Sequence, residues 1–368
     1  MQFLCTSGNL TVAVKAIEQI VERRSPQESF TQVLIRSKEG RVYVEACGQA
    51  SSAYFEIEGA EATAHHSIAV PGEAFISVAK ACEGEEVGVA ANLSSGAVSI
   101  VCGGSQWSLP CFPGETFLRF KASETTPEGV TVPSSWLRHA LLACKPIMRD
   151  DAPSQPVSQI GFTDDHLIVG AASRNRATYH KIKAAGNTAE LSHWTSLPGL
   201  QAMSQAASFI GDWRGDAVIS ADTKACYISI FENRFTFHPT NAPQMLKSVV
   251  KRVPTKPGFR LRLSVDELKA ALKRVVIGAQ VHKAVKLWAG TGTGFLFVEP
   301  SVVSNKAQFG TISRDGDGQM MLNHEYLADC LDACQEDELH LIEESGICFI
   351  TSGTTRCVVA GIVEEGNE

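Results

Sequence analysis

The sequence predicts an α+β fold built from three tandem repeats. Three helical stretches begin at Leu10, Leu137 and Leu268, and each is apolar at positions i, i+3, i+4 and i+7, the pattern of one buried helix face. Their starts are 127 and 131 residues apart, which is a period of domain size rather than of a solenoid repeat. Each stretch is followed by a second helix and then by strand-like runs, so each repeat combines helices with antiparallel sheet.

The second helix of each repeat has its own start signal. Pro71-Gly72, Pro198-Gly199 and Asn323-His324 each stand where a helix is expected to begin. We expect these helices to end near Cys82, Ala207 and Cys334.

Three strand-like runs follow each second helix, and turn residues such as Ser, Gly and Asp separate the first two. The runs are Val87–Ala90, Ala97–Cys102 and Trp107–Leu109; Ala217–Ser220, Cys226–Phe231 and Arg234–His238; and Leu339–Ile342, Ile347–Thr351 and Arg356–Ala360. The predicted domains are therefore residues 1–125, 126–253 and 254–368, the last with a short acidic tail.

The composition is that of an ordinary globular protein. The 368 residues are 44% hydrophobic and 20% charged. No apolar run approaches 18 residues, so no membrane span is expected, and Met1–Cys5 lacks the features of a signal peptide. Most of the eleven cysteines lie in apolar strand or helix patterns, which predicts reduced core thiols in a cytoplasmic protein.

The charge distribution is uneven. A net charge of −7 argues against a general nucleic-acid coat. Acidic residues concentrate in turns and in the tail, whereas basic residues nevertheless collect in and after the first helix of each repeat. The basic residues are Lys15, Arg23, Arg24, Arg138, His139, Lys145, Arg149, Lys269, Lys273 and Arg274. The repetition favours contact with DNA. Each residue taken alone also fits the solvent-facing side of an amphipathic helix, and that alternative stays open.

Local motifs, taken in order, resemble the bacterial DNA polymerase III beta sliding clamp over essentially the whole chain. They are Ser105–Pro110 with Phe112-Pro113, Asp150-Asp151 with Gln155-Pro156-Val157 and Gly161-Phe162, Ala171–Arg176, Pro243–Met245 with Val253-Pro254, and Tyr326–Leu331. The resemblance implies a head-to-tail homodimer, in which helices line a channel for duplex DNA and antiparallel sheets lie outside.

The same resemblance implies a binding scaffold rather than an enzyme, with no catalytic residues, no metal and no cofactor. Such a clamp contacts phosphates without reading sequence and tethers DNA polymerase and the clamp loader through their linear motifs. The alternative is a clamp-like adaptor or decoy that binds clamp partners without encircling DNA.

Three groups of residues carry over by position. The DNA-binding group is Arg24, expected at the end of the first helix, with Arg149, Lys269, Lys273 and Arg274. The dimer interface is Trp107 and Leu109 against Val276 and Ile277 of a partner, although ordinary domain core is the alternative for these four. The partner-peptide pocket is Val157, Ala172, Arg174, Asn175, Arg176, Pro243, Lys247, Val358, Val359, Ala360, Gly361 and Ile362.

The pocket departs from the family pattern at its carboxyl end. Ala360-Gly361-Ile362 stands where the family usually has a Met-Pro-Met-like run. Smaller side chains there predict a reshaped, shallower pocket with altered or weaker binding of standard clamp motifs.

Three other motifs receive structural interpretations. Gly290–Gly294 lacks the Gly-Lys-Ser/Thr ending of a phosphate loop, so a hairpin turn is expected. Cys330 and Cys334, with His324 and His340 nearby, lack zinc-ligand spacing and fit a buried helix face. Asp315–Gly318 matches only the start of a calcium loop, so it too is expected to be a turn.

Overall fold

The computed structural model describes residues 2–62, 66–84, 86–119, 128–150, 156–163, 165–186, 195–222, 225–238, 240, 245–277, 283–290, 293–298 and 305–362. The chain divides into two compact units. Unit 1 comprises Met1–Arg138 and Ala184–Asn241, and unit 2 comprises His139–Lys183 and Ala242–Glu368. The predicted middle domain, 126–253, contributes to both units, so the compact units do not follow the three repeats, whose boundaries remain a proposal.

All six predicted helices are present among the described residues, together with two further short α-helices. They are α1 (Ser7–Ile17), α2 (Gly72–Ala81), α3 (Ser134–Ala143), α4 (Lys145–Met148), α5 (Leu200–Ile210), α6 (Met245–Val250), α7 (Val265–Val276) and α8 (His324–Ala333). Among the described residues, no helix is long and apolar enough to cross a membrane.

The strands account for most of the remaining regular structure. They are β1 (Gln2–Thr6), β2 (Gln32–Lys38), β3 (Arg41–Cys47), β4 (Ser51–Ala62), β5 (Ser67–Pro71), β6 (Glu86–Asn92), β7 (Ala97–Cys102), β8 (Ser105–Pro110), β9 (Phe112–Pro113), β10 (Val130–Pro133), β11 (Val157–Thr163), β12 (His166–Ala172), β13 (Arg176–Lys183), β14 (Thr195–Leu197), β15 (Asp216–Ala221), β16 (Cys226–Ile230), β17 (Asn233–Phe237), β18 (Phe259–Ser264), β19 (Ala284–Gly290), β20 (Thr293–Val298), β21 (Asn305–Gly310), β22 (Ser313–Asp315), β23 (Gly318–Asn323), β24 (Glu338–Glu344), β25 (Ile347–Ser352) and β26 (Thr355–Ala360).

Unit 1 contains one antiparallel sheet in the order β10-β15-β16-β17-β4-β1-β6-β7-β8, with β2, β3, β5 and β9 paired beside this path. The sheet is continuous because β17 pairs with β4, Arg234 lying opposite Tyr54. Strand β8 ends this order and, among the described strands, pairs only with β7.

Unit 2 contains a sheet in the order β11-β12-β13-β26-β25-β24-β18-β22 and a smaller one in the order β21-β20-β19-β23. Its core gathers apolar side chains from α7, α8 and the sheets, including Leu268, Leu327 and Val359. Cys330 belongs to this core, as its position on a buried helix face predicts.

Ten of the eleven cysteines are buried and all eleven are free thiols.

Two helices of unit 2 begin at side-chain caps. Asn323 accepts hydrogen bonds from the N–H groups of Glu325 and Tyr326, which begins α8 where the sequence predicts it. Ser264 accepts from the Glu267 N–H, and α7 then has acids in its first turn and Lys273 and Arg274 in its last, as the helix dipole favours.

Both predicted turns join paired or consecutive strands in the structure, and one predicted strand ends earlier than expected. Val285–Trp288 and Phe295–Val298 pair as a hairpin around the glycine-rich segment, and Asp315–Gly318 joins β22 to β23. The predicted strand Cys226–Phe231 ends one residue early, because Phe231 adopts a positive φ of 50° in the turn.

Candidate functional site

The predicted pocket residues come together within unit 2. Val157 on β11 lies opposite Ala172 on β12, and Arg176 on β13 lies opposite Val359 on β26. The Ala360 N–H donates to the Asn175 carbonyl at 2.8 Å. Residues far apart in the sequence therefore share one sheet, and its neighbouring strands carry six of the predicted set: Val157, Ala172, Arg176, Val358, Val359 and Ala360.

Helix α6 is hydrogen-bonded to the same sheet. The Leu246 N–H donates to Oε1 of the buried Gln159 on β11 at 2.8 Å. Lys247 is exposed on this helix, while Arg174 and Asn175 are exposed in the β12–β13 turn. Pro243, the remaining predicted residue, lies outside the described residues.

The carboxyl end of β26 borders a small depression. Val359 is buried, whereas Ile362 is 40% exposed. The Gly361 and Ile362 N–H groups donate to the carbonyls of Gly346 and Met321 at 2.7 and 2.9 Å. The depression has a volume of about 250 Å³ and is lined by Gly361 and Ile362 together with Lys286, Gln319, Met320, Met321, Glu343 and Gly346. This is below the range of about 300–1,000 Å³ that is typical of ligand pockets.

Arg176 has a structural environment that the sequence does not reveal. Its side chain is buried, and its Nε and one terminal nitrogen donate to the two carboxylate oxygens of Asp150 at 3.1 and 2.5 Å. The other terminal nitrogen donates to Asp329 on α8 at 2.5 Å. Its guanidinium carbon lies 4.0 Å from the ring centroid of Tyr326. We call these four residues the Arg176 network.

The guanidinium of Arg176 makes its hydrogen bonds to other groups of unit 2. A further bond runs from Arg176 to the Pro146 carbonyl at 3.0 Å, and Ser173 donates to Asp150 at 2.9 Å. A buried arginine paired with carboxylates and stacked on an aromatic ring is held in one geometry. Arg176 thus joins β13 to α4 and α8, and little of its charge faces a docking partner.

The predicted interface residues have different environments. Trp107 and Leu109 are half-buried on β8, whose outer edge carries unpaired backbone groups among the described strands. Such an edge is a template for another strand. In unit 2, Val276 packs partly against the core, whereas Ile277, directly after α7, is 73% exposed.

The predicted DNA-binding residues are exposed to different degrees. Arg24 is exposed, but α1 ends at Ile17, so Arg24 lies in the loop that follows rather than at the helix end. The structure corrects that expectation, because the turn after Glu18 already leaves helical geometry. Arg149 is exposed after α4.

Helix α7 carries the other three basic residues. Lys273 and Arg274 are exposed, and Arg274 donates to the Ala270 carbonyl of its own helix at 3.2 Å. Lys269 is half-buried and forms an ion pair with Asp332 of α8 at 3.1 Å. Lys273 and Arg274 are thus the better exposed cations of this helix.

Comparison with known proteins agrees with this architecture. Residues 1–120 match the family model described as DNA polymerase III beta subunit, N-terminal domain. The chain superposes on the DNA polymerase sliding clamp of Bacillus subtilis with a TM-score of 0.86 at 13% identity, covering 99% of both chains. The chain has the sliding-clamp fold.

Other clamp structures are also similar. The DNA polymerase III beta subunit of Thermotoga maritima gives a TM-score of 0.82 at 16% identity over 98% of this chain and 99% of that one. The sliding clamp of Pseudomonas aeruginosa bound to griselimycin gives 0.85 at 14% identity over 99% of both chains. A search of curated protein sequences finds no match. The predicted resemblance to the beta sliding clamp is confirmed, and the low identity marks this chain as divergent.

Among the described residues of this chain, no group of three His, Cys, Asp or Glu side chains has a metal-binding arrangement. Asp317, in the β22–β23 turn, forms an ion pair with Arg314 of β22.

Proposed function

We propose that this protein is a DNA sliding clamp. Two copies join head to tail, encircle duplex DNA in the cytoplasm, and tether DNA polymerase and other replication or repair proteins to the template. The observation that carries the proposal is the clamp fold over nearly the entire chain. The three repeats 1–125, 126–253 and 254–368 belong to the proposal, because two copies then supply six domains to the ring.

Ring closure is supported by the free edge of β8. The half-buried Trp107 and Leu109 stand on this edge, and the exposed Ile277 offers an apolar side chain for the facing surface of a partner. Pairing across the edge satisfies backbone groups and buries these side chains at once.

Sequence-independent contact with DNA is supported by exposed cations. Arg24, Arg149, Lys273 and Arg274 are exposed on a protein whose net charge is −7. A few phosphate contacts of this kind are weak and carry no sequence information. Topology then retains the ring on DNA, and the ring is free to slide.

Partner tethering is supported by the proximity of the predicted pocket residues on β11, β12, β13 and β26. Linear motifs of polymerases and clamp loaders are the proposed ligands, bound through apolar side chains. The small depression beside Ile362 favours weaker binding of standard motifs than in clamps with a Met-Pro-Met-like run. No catalytic role is proposed.

A clamp-like adaptor or decoy is the second candidate, favoured by the altered carboxyl end of β26. The two are separated by the molar mass in solution, measured by size-exclusion chromatography with light scattering at low micromolar concentration. A dimer of twice 39.6 kDa supports the ring. A clean monomer favours the adaptor.

A further inference from the structure

Two exposed aromatic residues of unit 1 form a surface that the proposed clamp function does not use. Trp213, in the loop between α5 and β15, is 38% exposed, and Phe231, in the β16–β17 turn, is 80% exposed. Their ring centroids lie 4.8 Å apart in an edge-to-face arrangement. We call Trp213 and Phe231 the aromatic pair.

Phe231 occupies a position at which the fold favours another residue. Ile230 pairs with Asn233, so Phe231 and Glu232 form a two-residue hairpin turn. The φ of Phe231 is +50°, a left-handed value that suits Gly or Asn and strains a bulky side chain. The protein thus combines backbone strain with an exposed apolar ring, and neither favours folding or solubility. Strain of this kind is characteristic of functional sites.

Trp213, by contrast, is held in place. A Cβ at Gly215 would come within 2.5–2.8 Å of three indole atoms, so only glycine fits against the ring. The indole N–H donates to the Asp216 carbonyl at 3.3 Å, and the Ser134 hydroxyl donates to the Trp213 carbonyl at 2.7 Å. The indole is therefore positioned before a partner arrives, which lowers the entropy cost of binding.

The charges around the aromatic pair favour a cation. Asp212 and Glu232 are exposed in the two loops, and Asp216 is exposed at the start of β15. Arg214 is the basic residue of these loops, and Arg41, which lies near Glu232, is paired with Glu56. An aromatic face beside excess negative charge attracts a guanidinium or ammonium group. The same charges repel the phosphates of DNA.

We propose that the aromatic pair docks a basic segment of a partner protein, in which an arginine or lysine stands beside an apolar residue. The cation lies against the indole and the surrounding carboxylates, and the apolar side chain packs against Phe231. Aromatic residues that are rigid and partly exposed are the usual anchors of such interfaces. The site lies within unit 1 and requires neither a closed ring nor DNA.

The test uses the full-length protein labelled with 5-fluorotryptophan, observed by fluorine NMR. The probe is the peptide acetyl-Arg-Leu-Arg-amide, and the comparison ligands are acetyl-Glu-Leu-Glu-amide and a short DNA duplex. Trp213→Phe assigns the Trp213 resonance among the five tryptophans. We expect saturable movement of the Trp213 resonance with the basic peptide alone, while the resonance of Trp288, similarly exposed at 37%, stays in place.

A variant separates binding from folding. Phe231→Asn suits the turn, so we expect a higher midpoint of thermal unfolding together with about tenfold weaker peptide binding, equivalent to about 1.4 kcal/mol. The matched control is Leu93→Asn, which removes another exposed apolar side chain from a hairpin turn of unit 1 and should leave binding unchanged. An unmoved Trp213 resonance, equal movement of all tryptophans, a stronger response to DNA, or wild-type binding by Phe231→Asn would each refute the proposal.

Discussion

Arg176 on β13 donates to the carboxylate of Asp329 on α8 at 2.5 Å, although the two residues are 153 positions apart. The same guanidinium binds Asp150 through two hydrogen bonds. This arrangement links α8 to the sheet that carries the predicted pocket residues, here called the pocket sheet. Its contribution to the free energy of unfolding can be measured because each carboxylate can be removed separately.

Asp150→Asn should destabilise the protein by about 3 kcal/mol, since it leaves a buried guanidinium with an incomplete set of partners. The matched control is Asp332→Asn on α8, whose exposed ion pair with Lys269 should contribute less than about 0.5 kcal/mol. Urea unfolding of both variants measures the difference. Equal stabilities would mean that the Arg176 network does not hold the pocket sheet.

Reversing the two exposed charges on α7 should weaken retention on DNA. Lys273→Glu with Arg274→Glu leaves fewer cations to bind phosphates, and we expect the slope of log affinity against log salt to fall by about one for each phosphate that the variant no longer binds. Lys183→Glu, an exposed cation on β13, is the control. An unchanged slope in the double variant would place the DNA surface elsewhere.

A charge on the β8 edge should dissociate the proposed dimer. Trp107→Glu puts a carboxylate on the half-buried face of the edge strand, where desolvating it costs several kcal/mol unless it is paired. Light scattering should report a folded monomer. Val101→Glu, at an exposed position on the neighbouring β7, should remain dimeric. A dimeric Trp107→Glu protein would exclude β8 from the interface.

Methionine side chains at the end of β26 should strengthen binding of a consensus clamp-binding peptide. Ala360→Met adds apolar surface next to the depression, and Ile362→Met replaces a branched side chain of its lining with a flexible thioether. We expect the two changes together to contribute about 1–2 kcal/mol, or roughly tenfold in affinity. Isothermal titration calorimetry of the peptide measures it, with the exposed Ile312→Met as control. Wild-type affinity equal to that of ordinary clamps would contradict the predicted weakening.

The buried His180 should make stability depend on pH. Burial, followed by the neighbouring His139, lowers the pKa of His180 from 6.5 to about 3. Between these two values, His180 is protonated in the unfolded chain and neutral in the folded chain. The free energy of unfolding therefore decreases as the pH falls from 6.5 towards 3. Between pH 7 and pH 5 this one group should cost about 2 kcal/mol.

His180→Gln removes that titration, so its unfolding free energy should fall less than that of the wild type over this interval. His340→Gln, at an exposed position on β24, should retain the wild-type dependence. Identical pH profiles for all three proteins would mean that His180 does not titrate as its burial requires.

Much of the fold follows from local signals. The spacing of Leu268, Ala271, Leu272 and Val275 predicts α7, and all four side chains are buried. The strands that follow each second helix alternate or run apolar over short spans between clear turns. These signals depend on neighbours in sequence, and they predict the elements that local periodicity determines.

The features that the sequence does not predict depend on interactions that adjacent residues in the sequence do not determine. Phe231 looks like a strand residue, and nothing adjacent to it signals a left-handed backbone. Helix α1 ends at Ile17 although apolar residues continue to Ile20, so Arg24 falls outside the helix. The role of Arg176 depends on Asp150 and Asp329, whose proximity arises only when β13 packs against α4 and α8. An arginine that lies between two acids in space has no local sequence signature.

Topological retention is the property that defines a sliding clamp, and it is measured on a singly nicked circular plasmid. The protein is loaded with a bacterial clamp loader and ATP, and gel filtration at moderate salt separates bound from free protein. We expect the protein to elute with the circle and to be released when a restriction enzyme linearises the plasmid. Absence from the circle, or retention after linearisation, would contradict encirclement of DNA.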